Sequence, residues 1–205
     1  EKLRKICTDN DIILIFDDVI TGFGRLGKPF AADFFNIEPD LMAIAKGLTS
    51  GTVPMAATFV SDKIYKTFMQ GDPKVIEFFH GYTYSAHPLA CAAAIATLDV
   101  YKKDNLLNRA SEIAKYWEDA LHSLKGTKHV IDIRNLGLIG AIELEPIPEK
   151  PSRRAYNVLC EAFRDQKLFV RVTGDIIALS PSLIIQKQEI DLIIEKLKKT
   201  ISSTQ

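Results

Sequence analysis

Neither sign of charge is in excess in this chain: 26 Lys and Arg stand against 26 Asp and Glu, and the formal net charge is zero. That balance removes the electrostatic case for nucleic acid or an anionic membrane. Long apolar runs are missing too, since none approaches the ~18 residues a membrane-spanning helix needs. Cysteine is scarce. Cys7, Cys91 and Cys160 form an odd set without CxxC spacing, which predicts reduced, buried thiols in a reducing compartment, the cytoplasm by default. Histidine offers no metal centre: His80 and His87 lack a Cys or carboxylate cluster to complete a ligand set, and His122 and His129 have no partners nearby. Repeats and low-complexity tracts are absent. The first residue is Glu1 rather than Met, so the chain is expected to be a piece of something longer, with any targeting segment out of view.

What is present is 205 residues, 47% of them hydrophobic, enough for one core or two small ones. The most informative stretch runs from Ile12 to Lys46. An apolar run, Ile12-Ile13-Leu14-Ile15-Phe16, delivers Asp17 and Asp18; a second, Leu41-Met42-Ala43-Ile44-Ala45, delivers Lys46. Short apolar runs bounded by turn residues predict buried strands of an α/β sheet, and loops at strand ends are where such sheets place their chemistry. A charge at the end of a greasy strand is costly unless something pairs with it. Desolvation raises an Asp pKa and lowers a Lys pKa, and a partly desolvated Lys can offer a neutral amine to a carbonyl. Pyridoxal 5'-phosphate answers both needs, because its aldehyde condenses with a Lys and its protonated ring nitrogen is held by an Asp. A structural ion pair, or two unrelated strand-end charges, answers them as well.

Between the two runs, Gly22-Phe23-Gly24-Arg25-Leu26-Gly27 formally matches G-x-G-x-x-G after a strand. A dinucleotide site needs a helix starting on those glycines, and Pro29 with an aromatic loop follows instead. A turn that lets the chain pass close to a neighbour is the better reading. Downstream, Met55 to Val60 reads as a strand and Ser61-Asp62-Lys63 as the start of a short helix. Pro88 is placed as a first-turn proline of an alanine-rich helix, Leu89 to Lys103. The hydroxyls of Thr83 and Ser85 just ahead of it make either a phosphate cradle or, for Ser85, a helix cap.

Phe16-Asp17-Asp18-Val19-Ile20-Thr21-Gly22-Phe23-Gly24-Arg25 resembles the hallmark segment of class III aminotransferases, pyridoxal-phosphate enzymes of fold type I. The resemblance implies that Asp17 holds the pyridine nitrogen and Val19 packs on the ring. Ile44-Ala45-Lys46-Gly47-Leu48 resembles the segment carrying the family's Schiff-base lysine, here 29 residues after Asp17. His80-Gly81-Tyr82-Thr83-Tyr84-Ser85-Ala86-His87-Pro88 resembles a third segment. It implies cofactor contacts from Tyr82 and Thr83, the threonine reaching the phosphate bound by the partner subunit of a homodimer. The likeness spans nearly the whole chain but corresponds to the later half of the family's sequence. The other phosphate-binding loop and the aromatic on the opposite ring face should therefore precede residue 1. Asp18 departs from the family's usual Glu, and Ser182 from the second proline of its usual pair.

A composition shift at Lys102-Lys103-Asp104-Asn105 marks a candidate hinge, dividing residues 1–105 from residues 106–205. The first part is expected to belong to the large cofactor domain of a fold-type I α/β enzyme. The second reads as a small α+β domain: helix Leu106–Leu124, a strand pair over 130–145, helix Ser152–Asp165, a hairpin about Gly174-Asp175, and a final helix striped by Ile190, Ile193, Ile194, Leu197 and Ile201. Arg171 is its informative residue. A guanidinium among apolar strand neighbours suits a planar carboxylate, although an ion pair with Asp175 would satisfy it too. The resemblance of Arg171-Val172-Thr173-Gly174-Asp175 and Leu179-Ser180-Pro181-Ser182-Leu183 to the family's C-terminal segment implies that Arg171 binds the substrate carboxylate. The implied activity is ping-pong transamination from an ω-amino acid or amine to pyruvate or a similar keto acid. Another fold-type I reaction (an aminomutase or a decarboxylase) and a catalytically incomplete fragment with an assembly role stand as alternatives.

Overall fold

The computed structural model describes residues 1–204 except Ile76, Glu77, Phe79 and Tyr82. It divides into two compact units, Glu1–Leu107 and Asn108–Gln205, with the division in the first turn of a helix.

The first unit opens with helix α1 (Lys2–Asp9), which leads into strand β1 (Ile15–Asp17). A run of turns and the short helix α2 (Ala31–Phe35) cross to strand β2 (Leu41–Ile44), which pairs parallel with β1. A single 3-10 turn, Lys46–Leu48, follows, and strand β3 (Ala57–Val60) returns antiparallel to β2, giving the order β1-β2-β3. Helix α3 (Asp62–Phe68) comes next, and α4 (Pro88–Lys103) completes the set. Pro88 occupies the first turn of α4, where its missing N–H costs nothing. The strand run starting at Ile12 is not buried as the sequence predicts: Ile12, Ile13 and Ile15 are 52%, 56% and 62% exposed. The reason is topological. Among the described residues β1 is an edge strand of a three-stranded sheet; of the run only Leu14 is buried and Phe16 half-buried, while Ile44 of the central strand is buried.

The second unit begins within α5 (Leu106–His122) and adds β4 (Val130–Leu136), β5 (Ile139–Leu144), α6 (Arg153–Gln166), β6 (Arg171–Thr173), β7 (Ile176–Leu179) and α7 (Lys187–Ser203). Its four strands form one antiparallel sheet, ordered β4-β5-β7-β6. Trp117, Leu121, Leu138, Ile142, Ile177, Ile190, Leu197 and Ile201 have no exposed surface and share one core. The isoleucine and leucine stripe of α7 enters that core at helical spacing. Gly140 is required there, since a Cβ would meet Leu121 at 2.8 Å and Trp117 at 3.0 Å. The three cysteines are free; Cys7 is buried and the other two are half-buried.

Candidate functional site

β1 and β2 run parallel, with Asp17 opposite Ala43. Lys46 comes two residues after the end of β2, so both strands deliver an ionisable residue at the same, C-terminal edge of the sheet. Open α/β sheets bind ligands at that edge.

The two neighbouring carboxylates are used differently. Asp18 is fully buried and committed to the fold: it accepts hydrogen bonds from the Ala31 N–H at 2.9 Å and from the Thr21 hydroxyl. It thereby ties the glycine-rich turn to the start of α2. Asp17 is exposed, and its described partner is its own turn, the Val19 N–H donating to Oδ1 at 3.2 Å. One carboxylate oxygen stays open, and Val19 stands half-buried beside it. Lys46 leaves the sheet with a left-handed φ of 43°, a conformation that a residue with a Cβ adopts at a cost of about 1 kcal/mol. Its ammonium is exposed and makes no hydrogen bond or ion pair with a described residue.

The backbone after Lys46 is held tightly. The amides of Thr49 and Gly51 both donate to the Lys46 carbonyl at 3.3 Å, and the hydroxyl of buried Thr49 donates to the Val53 carbonyl at 2.6 Å. Gly47 packs under Phe23, where a Cβ would lie 2.7 Å from the Phe23 Cβ. Phe23 stacks on Tyr101 of α4 with ring centroids 5.9 Å apart, and the Tyr101 hydroxyl donates to the Gly47 carbonyl at 2.7 Å. Burial lowers the pKa of the nearby Arg25 guanidinium and raises that of the Tyr101 phenol. Neither Phe23 nor Tyr101 carries a sequence signal for this contact; a glycine directly after the strand-end lysine is the one hint.

The glycine-rich turn is no dinucleotide cradle. α2 starts only at Ala31 and is five residues long. Gly22 and Gly24 serve close approaches instead: a Cβ would sit 2.8 Å from the Asp18 carbonyl oxygen and 3.0 Å from the Leu107 Cα, respectively. No group of three or more His, Cys, Asp or Glu that could hold a metal occurs among the described residues. None of the described helices is long and apolar enough to cross a membrane.

Thr83 and Ser85 lie elsewhere in the first unit. They line an open cavity of about 1280 Å³ whose wall does not include Asp17, Val19 or Lys46. Thr83 is exposed, and His87, not Ser85, occupies the cap position of α4. Tyr82 lies outside the described residues. In the second unit Arg171 opens β6 opposite Ala178 and is exposed, without an ion pair to a described residue. The partner that would have satisfied it, Asp175, accepts instead from the Ser152 N–H at 2.7 Å and the Ala155 N–H at 3.3 Å at the start of α6.

Known proteins resemble this chain over nearly its whole length. An omega-aminotransferase of Caulobacter vibrioides is 55% identical over 98% of this chain, which covers 46% of that protein. A beta-alanine–pyruvate aminotransferase of Pseudomonas aeruginosa is 44% identical over 98% of the chain and 45% of its own length. The chain thus spans a little under half the length of these curated relatives. Among solved structures, an amine transaminase from an uncultivated Pseudomonas species, in its PLP-bound form, matches with a TM-score of 0.88 at 33% identity, over 98% of this chain and 46% of that one. The mixed α/β architecture is accordingly that of fold-type I transaminases. The family description for class III aminotransferases matches residues 1–201 without leaving either unit out. With Asp17, Lys46 and their turns inside that match, the chain belongs to the class III aminotransferase family.

Proposed function

We propose that this chain is part of a pyridoxal-phosphate-dependent aminotransferase that moves an amino group from an ω-amino acid or amine to pyruvate or a similar keto acid. One observation carries the reading: the parallel register that ends β1 on Asp17 and brings β2 to Lys46 at the same sheet edge. At a rise of ~3.3 Å per residue and a strand spacing of ~4.8 Å, three residues past Ala43 leave the Asp17 and Lys46 Cα atoms within roughly 11 Å of each other. Among the described residues, the second carboxylate oxygen of Asp17 and the amine of Lys46 have no partner, and the two fit the two ends of a pyridine aldehyde.

Bound there, pyridoxal phosphate supplies an aldehyde for the amine and a protonated ring that withdraws electrons from the amine-bearing carbon. Asp17 accepts the hydrogen bond of the ring N–H and keeps that nitrogen protonated. Val19 packs against the ring face and excludes water. Lys46 would hold the cofactor through its Nζ, and the same Nζ would move the proton at the donor's amine-bearing carbon. Donor and keto acid take turns at this one site. Tyr82 and Thr83 are assigned to the cofactor, Thr83 to its phosphate across the interface of a homodimer. Arg171 is assigned to the substrate carboxylate, and the absence of an ion pair to any described residue supports the assignment. We read the first unit as part of the large cofactor domain and the second as the small C-terminal domain. The three free thiols favour a reducing compartment, the cytoplasm.

The test uses the full-length protein with β-alanine and pyruvate. Formation of L-alanine with loss of the donor's amine supports the reading. Release of CO₂, or an amine shifted within one substrate, would assign the same cofactor to a decarboxylase or an aminomutase.

A further inference from the structure

We infer that Tyr101 is a positioning residue for Lys46, acting through the Gly47 carbonyl and the Phe23 ring. The inference rests on the cofactor role proposed for Lys46 and adds a residue to it.

Lys46 is presented by a turn that its own amides close at 3.3 Å and that contacts from outside the turn complete. Its φ of 43° is left-handed, and so is the φ of 57° at Phe23, the residue packed over Gly47. Two residues with side chains in that region on either side of one contact persist only where the surroundings over-determine them. Four contacts do so here. Phe23 is buried, donates its N–H to the Pro29 carbonyl at 2.7 Å, and meets Phe30 edge-on at 5.5 Å. Its ring lies nearly parallel to that of Tyr101, 22° between planes, and fills the space that a side chain at position 47 would need. The Tyr101 hydroxyl then donates to the Gly47 carbonyl from α4, 54 residues along the chain. Within the turn that carbonyl takes only the 3.3 Å contact from the Ser50 N–H. Tyr101 is 8% exposed, and burial pushes its phenol pKa up, so the hydroxyl stays a neutral donor through the working pH range. The bond fixes the peptide that leaves Lys46 and so aims the lysine stem from one backbone position. An amine that must meet both an aldehyde and a proton on carbon depends on that aim, because small misplacements lower the turnover rate more than they weaken binding.

The experiment uses the full-length protein and Tyr101→Phe, which keeps the ring stack and removes the donor; Tyr116→Phe, at a half-buried tyrosine of the second unit whose hydroxyl donates to Asp191 at 2.6 Å, is the control. Hydrogen exchange on the cofactor-free proteins is read over residues 46–51, and kcat and KM are then measured on the loaded proteins. We expect faster exchange confined to that turn, kcat lowered about tenfold and KM for donor and acceptor within twofold of wild type. Wild-type exchange at residues 46–51, or faster exchange with an unchanged kcat, overturns the inference. Borohydride reduction of the loaded wild-type protein followed by peptide mapping separates the two levels. A label on Lys46 with a wild-type-like Tyr101→Phe rejects only the positioning role, whereas a label on another lysine rejects the cofactor reading and the positioning role together.

Discussion

The two units of this chain spend their sequence differently. The second closes on itself: four antiparallel strands and the helices α5, α6 and α7 share a core in which Trp117, Leu121, Ile142 and Ile177 are fully buried. The first has a three-stranded sheet with two open edges and leaves large apolar side chains such as Ile13, Ile15 and Phe59 half or more exposed. It also carries Asp17 and Lys46. A closed core yields stability and little chemistry, whereas the open unit holds ionisable groups at strand ends, Lys46 in a left-handed conformation.

The largest expected effect falls on the open unit. Lys46→Ala in the full-length protein should lower kcat by at least about a thousandfold, with the melting temperature unchanged, because Lys46 is exposed and its ammonium has no hydrogen bond or ion pair with a described residue. A parallel loss of melting temperature would break the contrast. In the closed unit the order reverses. Trp117→Ala should cost about 3–5 kcal/mol in urea unfolding while hydrogen exchange over residues 41–51 stays as in wild type. Gly140→Ala should cost about 1–3 kcal/mol by driving a methyl group into Leu121 and Trp117, read from the same unfolding curves. Equal loss of protection in residues 41–51 for either variant would show one cooperative block instead of two.

The smallest effect is a pH dependence in the open unit. The carboxyl of Asp40 is held below its ordinary pKa, first by the hydrogen bond from Arg4 at 2.8 Å and then by the Leu14 N–H at 2.8 Å. A depressed folded-state value means stability that is present above the unfolded carboxylate pKa, near 4, and is lost as pH falls through the lower folded value. Acid should therefore loosen the junction of α1 with β1, seen as lower protection against hydrogen exchange, relative to the intrinsic rate at each pH, at residues 4–15 below about pH 4. Asp40→Asn should flatten that dependence.

How much of this was legible in the letters depends on sequence distance. The proline in the first turn of α4, the stripe of α7, the β4–β5 pair and the hairpin at Gly174-Asp175 follow local rules, and each forms where those rules predict. The strand-end positions of Asp17 and Lys46 follow from two apolar runs. The burial of the first run does not, because burial belongs to the neighbours of a strand and β1 has a described neighbour on one side alone. Asp18 reads as a twin of Asp17, and only the fold distinguishes the carboxylate tied to Ala31 from the open one. The Tyr101–Gly47 bond joins residues 54 apart, across which no periodicity or motif can report.

A crystal structure of the full-length protein with pyridoxal phosphate is the most direct test. The account predicts one ring with its nitrogen about 2.6–3.2 Å from a carboxylate oxygen of Asp17 and its aldehyde carbon bonded to Lys46 Nζ. A ring held by any other lysine, or a ring nitrogen facing a residue other than Asp17, would contradict it.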